Sequence, residues 1–171
     1  DGAIYAKIPL PSPPVSLELL PTGFFLTLLG SYEPTDDPQG AVLAYARTPD
    51  GYVPTPMLDG LPRLTHTSFA DLNGDGGTDL VTSGFGDLVG RLELHLQSPG
   101  GGFRRQTLLD RPGVVHTAVR DFTGDGRPDI LALTAQADEG LTLLEATGTQ
   151  DGVPSFVPHA LVRRSPTFGM T

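Results

Sequence analysis

The 171 residues include no cysteine, no tryptophan and no apolar run near the roughly 20 residues that cross a bilayer as a helix. The missing cysteine excludes disulfide staples and thiolate metal sites, and is compatible with any redox compartment. Without Trp, and with only four Tyr, aromatic platforms for a sugar are scarce. Cationic residues are few as well. The 11 Lys and Arg stand against 20 Asp and Glu, a formal charge of −9, which argues against a nucleic-acid backbone as partner because that contact needs clustered Lys and Arg. Neither Met nor a basic-apolar leader precedes Asp1, so a mature or excised product is expected. The length suits one ordinary domain, and an apolar content of 38% is enough for a core.

What the chain has in quantity is turn residues. Gly (22) and Pro (17) make about 23% of it, just short of the range read as disordered. They recur between short Val/Leu/Ile/Phe runs, the pattern of an all-β protein with many tight turns. The most informative segments are two copies of one acidic loop, fifty residues apart. The first is Asp71-Leu-Asn73-Gly-Asp75-Gly-Gly77-Thr-Asp79, and the second is Asp121-Phe-Thr123-Gly-Asp125-Gly-Arg127-Pro-Asp129. Both put oxygen side chains at positions 1, 3, 5 and 9, with glycine at 6 where the chain must turn back. Hard oxygens crowded in this way repel one another unless a cation lies among them. Ca²⁺ is the natural choice because it takes six to eight oxygens in flexible geometry. Six of the acidic residues lie in these loops, and two bound Ca²⁺ would take the formal charge from −9 to −5.

The loops belong to a longer period. Asp1-Gly2, Asp50-Gly51, Gly101-Gly102 and Asp151-Gly152 are turn signals about 50 residues apart, each followed by an aromatic (Tyr5, Tyr52, Phe103, Phe156) and then a proline (Pro11, Pro62, Pro112, Pro166). A period of this length carrying four short strands marks a propeller blade. One blade reads as strands at about Leu64–Ala70, Leu80–Gly84, Arg91–Gln97 and Phe103–Leu109, with the acidic loop between the first two. The expected organisation is a terminal strand of a preceding blade at 1–11, a blade without a metal loop at 12–62, blades with loops at 63–112 and 113–163, and the first strand of a following blade at 164–171. The 12–62 blade is expected to keep strands two to four, its loop shortened to Glu18-Leu-Leu-Pro-Thr-Gly23. Three blades and two orphan strands do not close a ring of four to eight. An unclosed ring leaves edges and apolar faces open, so the segment is expected to be part of something larger.

Around the loops, Phe69-Ala-Asp71-Leu-Asn73-Gly-Asp75-Gly-Gly-Thr-Asp79-Leu-Val81 and Val119-Arg-Asp121-Phe-Thr123-Gly-Asp125-Gly-Arg-Pro-Asp129-Ile-Leu131 resemble the FG-GAP/VCBS repeats of integrin-α-like β-propellers. The likeness covers both loop-bearing blades well and the first blade weakly. It implies one Ca²⁺ in each loop, with the carbonyl of position 7 (Gly77, Arg127) as an added ligand. It also implies an extracytoplasmic setting and a role in binding or adhesion, not catalysis. The sequence departs from the family pattern at Thr123, where Asp or Asn is usual, leaving the second site one weaker oxygen. The first blade has no loop to fill.

The same residues admit other readings. An EF-hand needs a bidentate Glu at position 12 and flanking helices; position 12 is Thr82 or Ala132, followed by a β-type run. A metal-free Asx-rich turn is the plain alternative, and two aligned copies with every ligand position polar weigh against it. His66 and His116 share a place five residues before each loop, with Glu18 and Met170 at roughly equivalent positions of the flanking repeats. A ring of such side chains around an axis suits a transition metal or a cofactor edge, whereas simple duplication of a hydrogen-bonded residue explains it more blandly. His95 and His159 read as surface residues of outer strands. Ser68 has no nucleophile elbow around it, Ser98-Pro-Gly-Gly-Gly102 lacks the Lys and helix of a phosphate loop, and Arg104-Arg105 and Arg163-Arg164 read as solvated edge pairs.

The sequence therefore predicts an all-β propeller segment of about three four-stranded blades with two structural Ca²⁺ sites. No enzyme and no transmembrane span are expected. Its role would be that of a secreted, periplasmic or cell-surface binding or adhesion module. A protein partner, or further blades of the same or another chain, would complete it. The rivals are an accessory or scaffolding subunit of a larger extracytoplasmic or membrane-associated complex, and a propeller enzyme with an axial histidine site.

Overall fold

Short β-branched and leucine-rich runs separated by glycine and proline leave the chain little option but strands joined by turns. The computed structural model describes residues 7–33, 35–86, 88–136 and 139–163, and among them there are twelve strands and no helix. The first sheet comprises β1 (Pro14–Leu20), β2 (Gly23–Leu28), β3 (Gly40–Thr48) and β4 (Gly51–Leu61). In the second are β5 (Leu64–Ala70), β6 (Asp79–Gly84), β7 (Leu92–Gln97) and β8 (Phe103–Leu109). The third holds β9 (Val114–Arg120), β10 (Asp129–Thr134), β11 (Gly140–Gln150) and β12 (Val153–Arg163). Each sheet is an antiparallel meander in chain order. Neighbouring sheets meet through their first strands, β1 against β5 and β5 against β9, and fan out from that side as propeller blades do.

The fifty-residue period is visible in the hydrogen bonds. A bulge falls after Pro14 in β1, after Leu64 in β5 and after Val114 in β9. One backbone bond recurs beside each: Leu29 N to Pro13 O, Phe85 N to Arg63 O, and Ala135 N to Gly113 O. The middle bulge also ties two sheets together, because the Thr65 hydroxyl donates to the Val114 carbonyl at 3.0 Å.

Two sequence expectations need correction. The first sheet has all four strands: Glu18, Leu19 and Leu20 lie in β1, and only Pro21-Thr22 separates Leu20 from its partner Gly23. The acidic loop is replaced there by a two-residue turn, so its loss does not remove the strand. The bulges moreover make Ser16, His66 and His116 equivalent, and Glu18 falls two residues further on, level with Ser68. The expected terminal strand at 2–10 lies partly outside the described residues. Residues 7–10 are in no strand, although Ile8 and Leu10 pack against Leu26, Leu28 and Tyr45. Met170 and the strand expected at 166–171 fall outside the described residues.

The second sheet is covered on both faces. On one side Val81, Leu92, Leu94 and Leu96 pack with Val114, Ile130, Ala132 and Leu144 of the third sheet. On the other, Leu80 joins Leu64, Val42 and Leu61, and the Phe25 and Phe69 rings stack at 4.2 Å. Each fully buried leucine in these layers contributes about 1.5–3 kcal/mol relative to exposure. The two end sheets are less covered on their far faces, where in the first sheet Ile8 and Leu10 pack over Leu26, Leu28 and Tyr45. Leu17 and Leu19 of β1 are 55% and 74% exposed, and Leu133, Val157, Leu161 and Val162 of the third sheet are exposed as well.

Candidate functional site

Both acidic loops link the first and second strands of their sheets, β5 to β6 and β9 to β10. They are built by one hydrogen-bond scheme. The Asp71 carboxylate accepts from the backbone N–H groups of Gly74 (2.7 Å), Asp75 (3.1 Å) and Gly76 (2.9 Å). Asp121 accepts from Gly124 (2.6 Å), Asp125 (3.2 Å) and Gly126 (2.9 Å). To present those N–H groups inward the chain turns with positive φ at position 6, 83° at Gly76 and 85° at Gly126, where a side chain would be strained. The N–H groups of Gly126 and Gly124 hold the Asp121 carboxyl below the usual carboxylate range. Gly77 N–H and the Asn73 amide do the same for Asp75.

Position 9 belongs to a strand and plays a different part. Asp79 and Asp129 open β6 and β10 and are fully buried. Asp79 takes the Leu72 N–H on one oxygen (2.9 Å) and the Gln97 N–H, at the end of β7, on the other (2.9 Å). Asp129 takes Phe122 N–H (2.9 Å) and Thr123 N–H (3.1 Å) on one oxygen and Ala146 N–H of β11 (2.8 Å) on the other. Each carboxylate thus fastens its loop to the third strand of the sheet. Gln97 and Ala146 were not singled out in the sequence; they lie 18 and 17 residues past Asp79 and Asp129.

Among the described residues no group of three His, Cys, Asp or Glu side chains converges as around a metal ion, because the loop carboxylates are turned to the backbone N–H groups named above. The donor set nonetheless suits a hard divalent cation. Every ligand position carries oxygen, and an ionised carboxylate has about four lone-pair sites, so two or three N–H bonds leave each of Asp71, Asp75 and Asp79 at least one free. Like charge is concentrated there too. Burial, opposed by the Gln97 and Leu72 N–H groups, raises the Asp79 pKa, and the neighbouring Asp75 and Asp71 charges push it the same way. A bound cation would relieve that repulsion.

The two loops also differ at position 7. In the second, the Arg127 guanidinium folds onto Asp125, Nη2 against Oδ2, while its Nε donates to the Ala146 carbonyl at 2.9 Å. The first loop has Gly77 at that place.

His66 and His116 do come together, their rings 3.9 Å apart at 46°, on the adjoining first strands of the second and third sheets. The nearest hydrogen-bonding groups are those of Thr117, whose N–H and hydroxyl lie 3.4 and 3.3 Å from His66 Nδ1. Ser68 Oγ also goes to Thr117, 2.8 Å from its hydroxyl. Burial and then the His116 imidazole lower His66 to about 4, so it is neutral at pH 7.

His95 is the third correction. It is 2% exposed, not a surface residue, with Nε2 2.9 Å from Thr82 Oγ1. Burial, then the Arg105 guanidinium, lower it to about 4, although the Glu93 carboxylate stands 4.0 Å away. Arg105 is likewise more than a solvated edge residue, since its Nε lies 3.7 Å from the buried Glu93. Burial raises the Glu93 pKa. His159 is exposed and bonded to Glu145 at 2.7 Å, as a surface residue is expected to be.

The matching family model begins on the first aspartate of one loop and ends three residues beyond the other. Residues 71–132 carry an FG-GAP-like repeat. The repeat therefore contains both nonapeptides and the whole of β6 to β9, and its ends are set by the loops, not by the sheets. No curated protein matches the chain.

Proposed function

We propose that the chain is a calcium-stabilised propeller-type module that binds a protein partner outside the cytoplasm. The observation that carries this reading is the duplicated loop: five oxygen-bearing positions at one spacing, anchored by a buried aspartate to the third strand of its sheet. Asp71, Asn73, Asp75, the Gly77 carbonyl and Asp79 would hold one Ca²⁺. Asp121, Thr123, Asp125, the Arg127 carbonyl and Asp129 would hold the other. The ion supplies charge neutralisation, and the protein supplies the backbone N–H scaffold that keeps the oxygens on one rim. With the rim rigid, neighbouring loops can present a fixed surface at little entropic cost. Extracellular calcium modules work with dissociation constants of about 10⁻⁴–10⁻³ M, which supports a secreted, periplasmic or cell-surface setting. No catalytic role is proposed for His66 and His116.

Chelation tests the reading. Calcium at about 100 times its dissociation constant adds about 2.7 kcal/mol per site, or about 5–10 °C of melting temperature in a domain of this size. EDTA should lower the melting temperature and excess Ca²⁺ should restore it. An unchanged curve contradicts structural ions.

A second reading, a scaffolding or accessory subunit of a larger assembly, is favoured by the uncovered apolar faces around Leu19 and Leu161 at the two ends of the blade stack. Patches of this kind are usually covered, here by further blades of this or another chain. Light scattering on the eluting protein separates the two: an assembly supports the second reading, and a stable 18.0 kDa monomer contradicts it.

A further inference from the structure

The two loops are exchanged at a pair of positions, not at one. In the first loop position 7 is Gly77, and the place at the end of the third strand is Gln97, whose Oε1 accepts the Thr78 N–H at 2.8 Å. A Cβ on residue 77 would stand 2.8 Å from Asp75 Oδ1 and 3.2 Å from Gln97 Oε1, so a side chain at position 7 crowds the Asp75 carboxylate and the large amide, and both must give way by a few tenths of an ångström. In the second loop the small residue is Ala146 and the large one is Arg127. The guanidinium occupies the vacated space, with Nε on the Ala146 carbonyl at 2.9 Å and Nη2 on Asp125 Oδ2. The backbone N–H of the same residue donates to Asp125 Oδ1 at 2.9 Å.

From this we infer that the second loop carries its own cation: Arg127 neutralises Asp125, and a divalent ion must compete with that charge, so the second loop depends less on metal than the first. The inference rests on the calcium reading above. A guanidinium–carboxylate contact backed by a second bond to a carbonyl is a charge-assisted pair. The metal has to share Asp125 with a like charge, and with Arg127 half exposed the competition costs about tenfold in apparent affinity. Nothing comparable guards Asp75, because the group facing its Oδ2 is the neutral Asn73 amide at 2.8 Å. One loop is accordingly set by calcium and the other is partly set by the protein alone.

Thr123 also weakens the second loop, so unequal sites alone do not decide the matter; Arg127 substitutions do. Calcium titration calorimetry on the chelator-stripped chain should give two classes of site. Arg127→Ala should tighten the weaker class about tenfold and leave the tighter one unchanged, while Arg127→Lys, which keeps the charge, should stay close to wild type. In EDTA, Arg127→Ala should melt below wild type, with the gap closing in excess Ca²⁺. A weaker class unaffected by Arg127→Ala, or two equal classes in the wild type, overturns the inference and leaves the calcium reading standing. No calcium heat in any variant overturns the calcium reading itself, and the Arg127 inference with it.

Discussion

Replacing Asp129 or Asp79 with alanine should destabilise the fold by about 3–5 kcal/mol even in EDTA, far more than replacing any other loop aspartate. Both are fully buried, and each is the acceptor for loop N–H groups and for one strand N–H. Alanine leaves at least two N–H groups without their carboxylate, at about 1–3 kcal/mol per group. Asp71 and Asp121 also accept several N–H groups, but those groups are at the surface, where water replaces the carboxylate. Alanine at 71 or 121 should therefore cost far less without metal. Asn at 79 or 129 keeps one acceptor and turns an amide against a donor, so it should fall between wild type and alanine. Urea unfolding of the four alanine variants in EDTA measures the contrast. A loss at 79 and 129 no greater than at 71 and 121 would mean that the buried aspartates are not the anchors of the loops.

Acid should weaken the protein through His66 and His95. His66 and His95 are both lowered from 6.5 to about 4, so the unfolded chain takes up protons near pH 6.5 that the folded chain refuses. Stability then declines as pH falls from about 6.5, and the decline ends near pH 4, where the folded imidazoles charge as well. By pH 5 the loss should be about 2 kcal/mol for each of the two histidines. The groups around them fix the direction. His66 faces the His116 imidazole and the hydroxyl and N–H of Thr117, and a proton there would meet like charge. His95 sits between Thr82 and the Arg105 guanidinium. Glu93 opposes the trend, because its burial penalty, present when ionised, disappears on protonation. The His66→Gln variant should lose its share of the decline between pH 7 and 5. A wild-type melting temperature that is flat over that interval would mean that the His66–His116 contact is not maintained in solution.

Much of the fold was legible because local signals agreed with one another. Strands β5 and β8 lie at the bounds the sequence predicts, since glycine, proline and the acidic loop punctuate them on both sides. The interleaved aspartates were legible for the same reason: a nonapeptide repeated at fifty residues is hard to obtain from turns alone. β1 was missed because its loop is missing. Without Asp and Gly to mark a boundary, Ser16-Leu-Glu-Leu-Leu reads as the remnant of a connection, although a Pro-Thr turn closes it as a hairpin. His95 was misread because period-2 alternation assigns polar residues to solvent. In a sheet held between two others neither face is wet, so Glu93 and His95 alternate with leucine inside the protein. The reach of Arg127 across to Ala146 was beyond any local pattern, because it depends on which side chain is absent from a strand seventeen residues after Asp129.

The most direct measurement is an anomalous difference map from a crystal grown in millimolar CaCl₂. A peak about 2.3–2.6 Å from oxygens of Asp71, Asn73, Asp75, Asp79 and the Gly77 carbonyl is the expected result. Featureless density at both nonapeptides, with Asp71 and Asp75 still turned to their own backbone, would contradict the account.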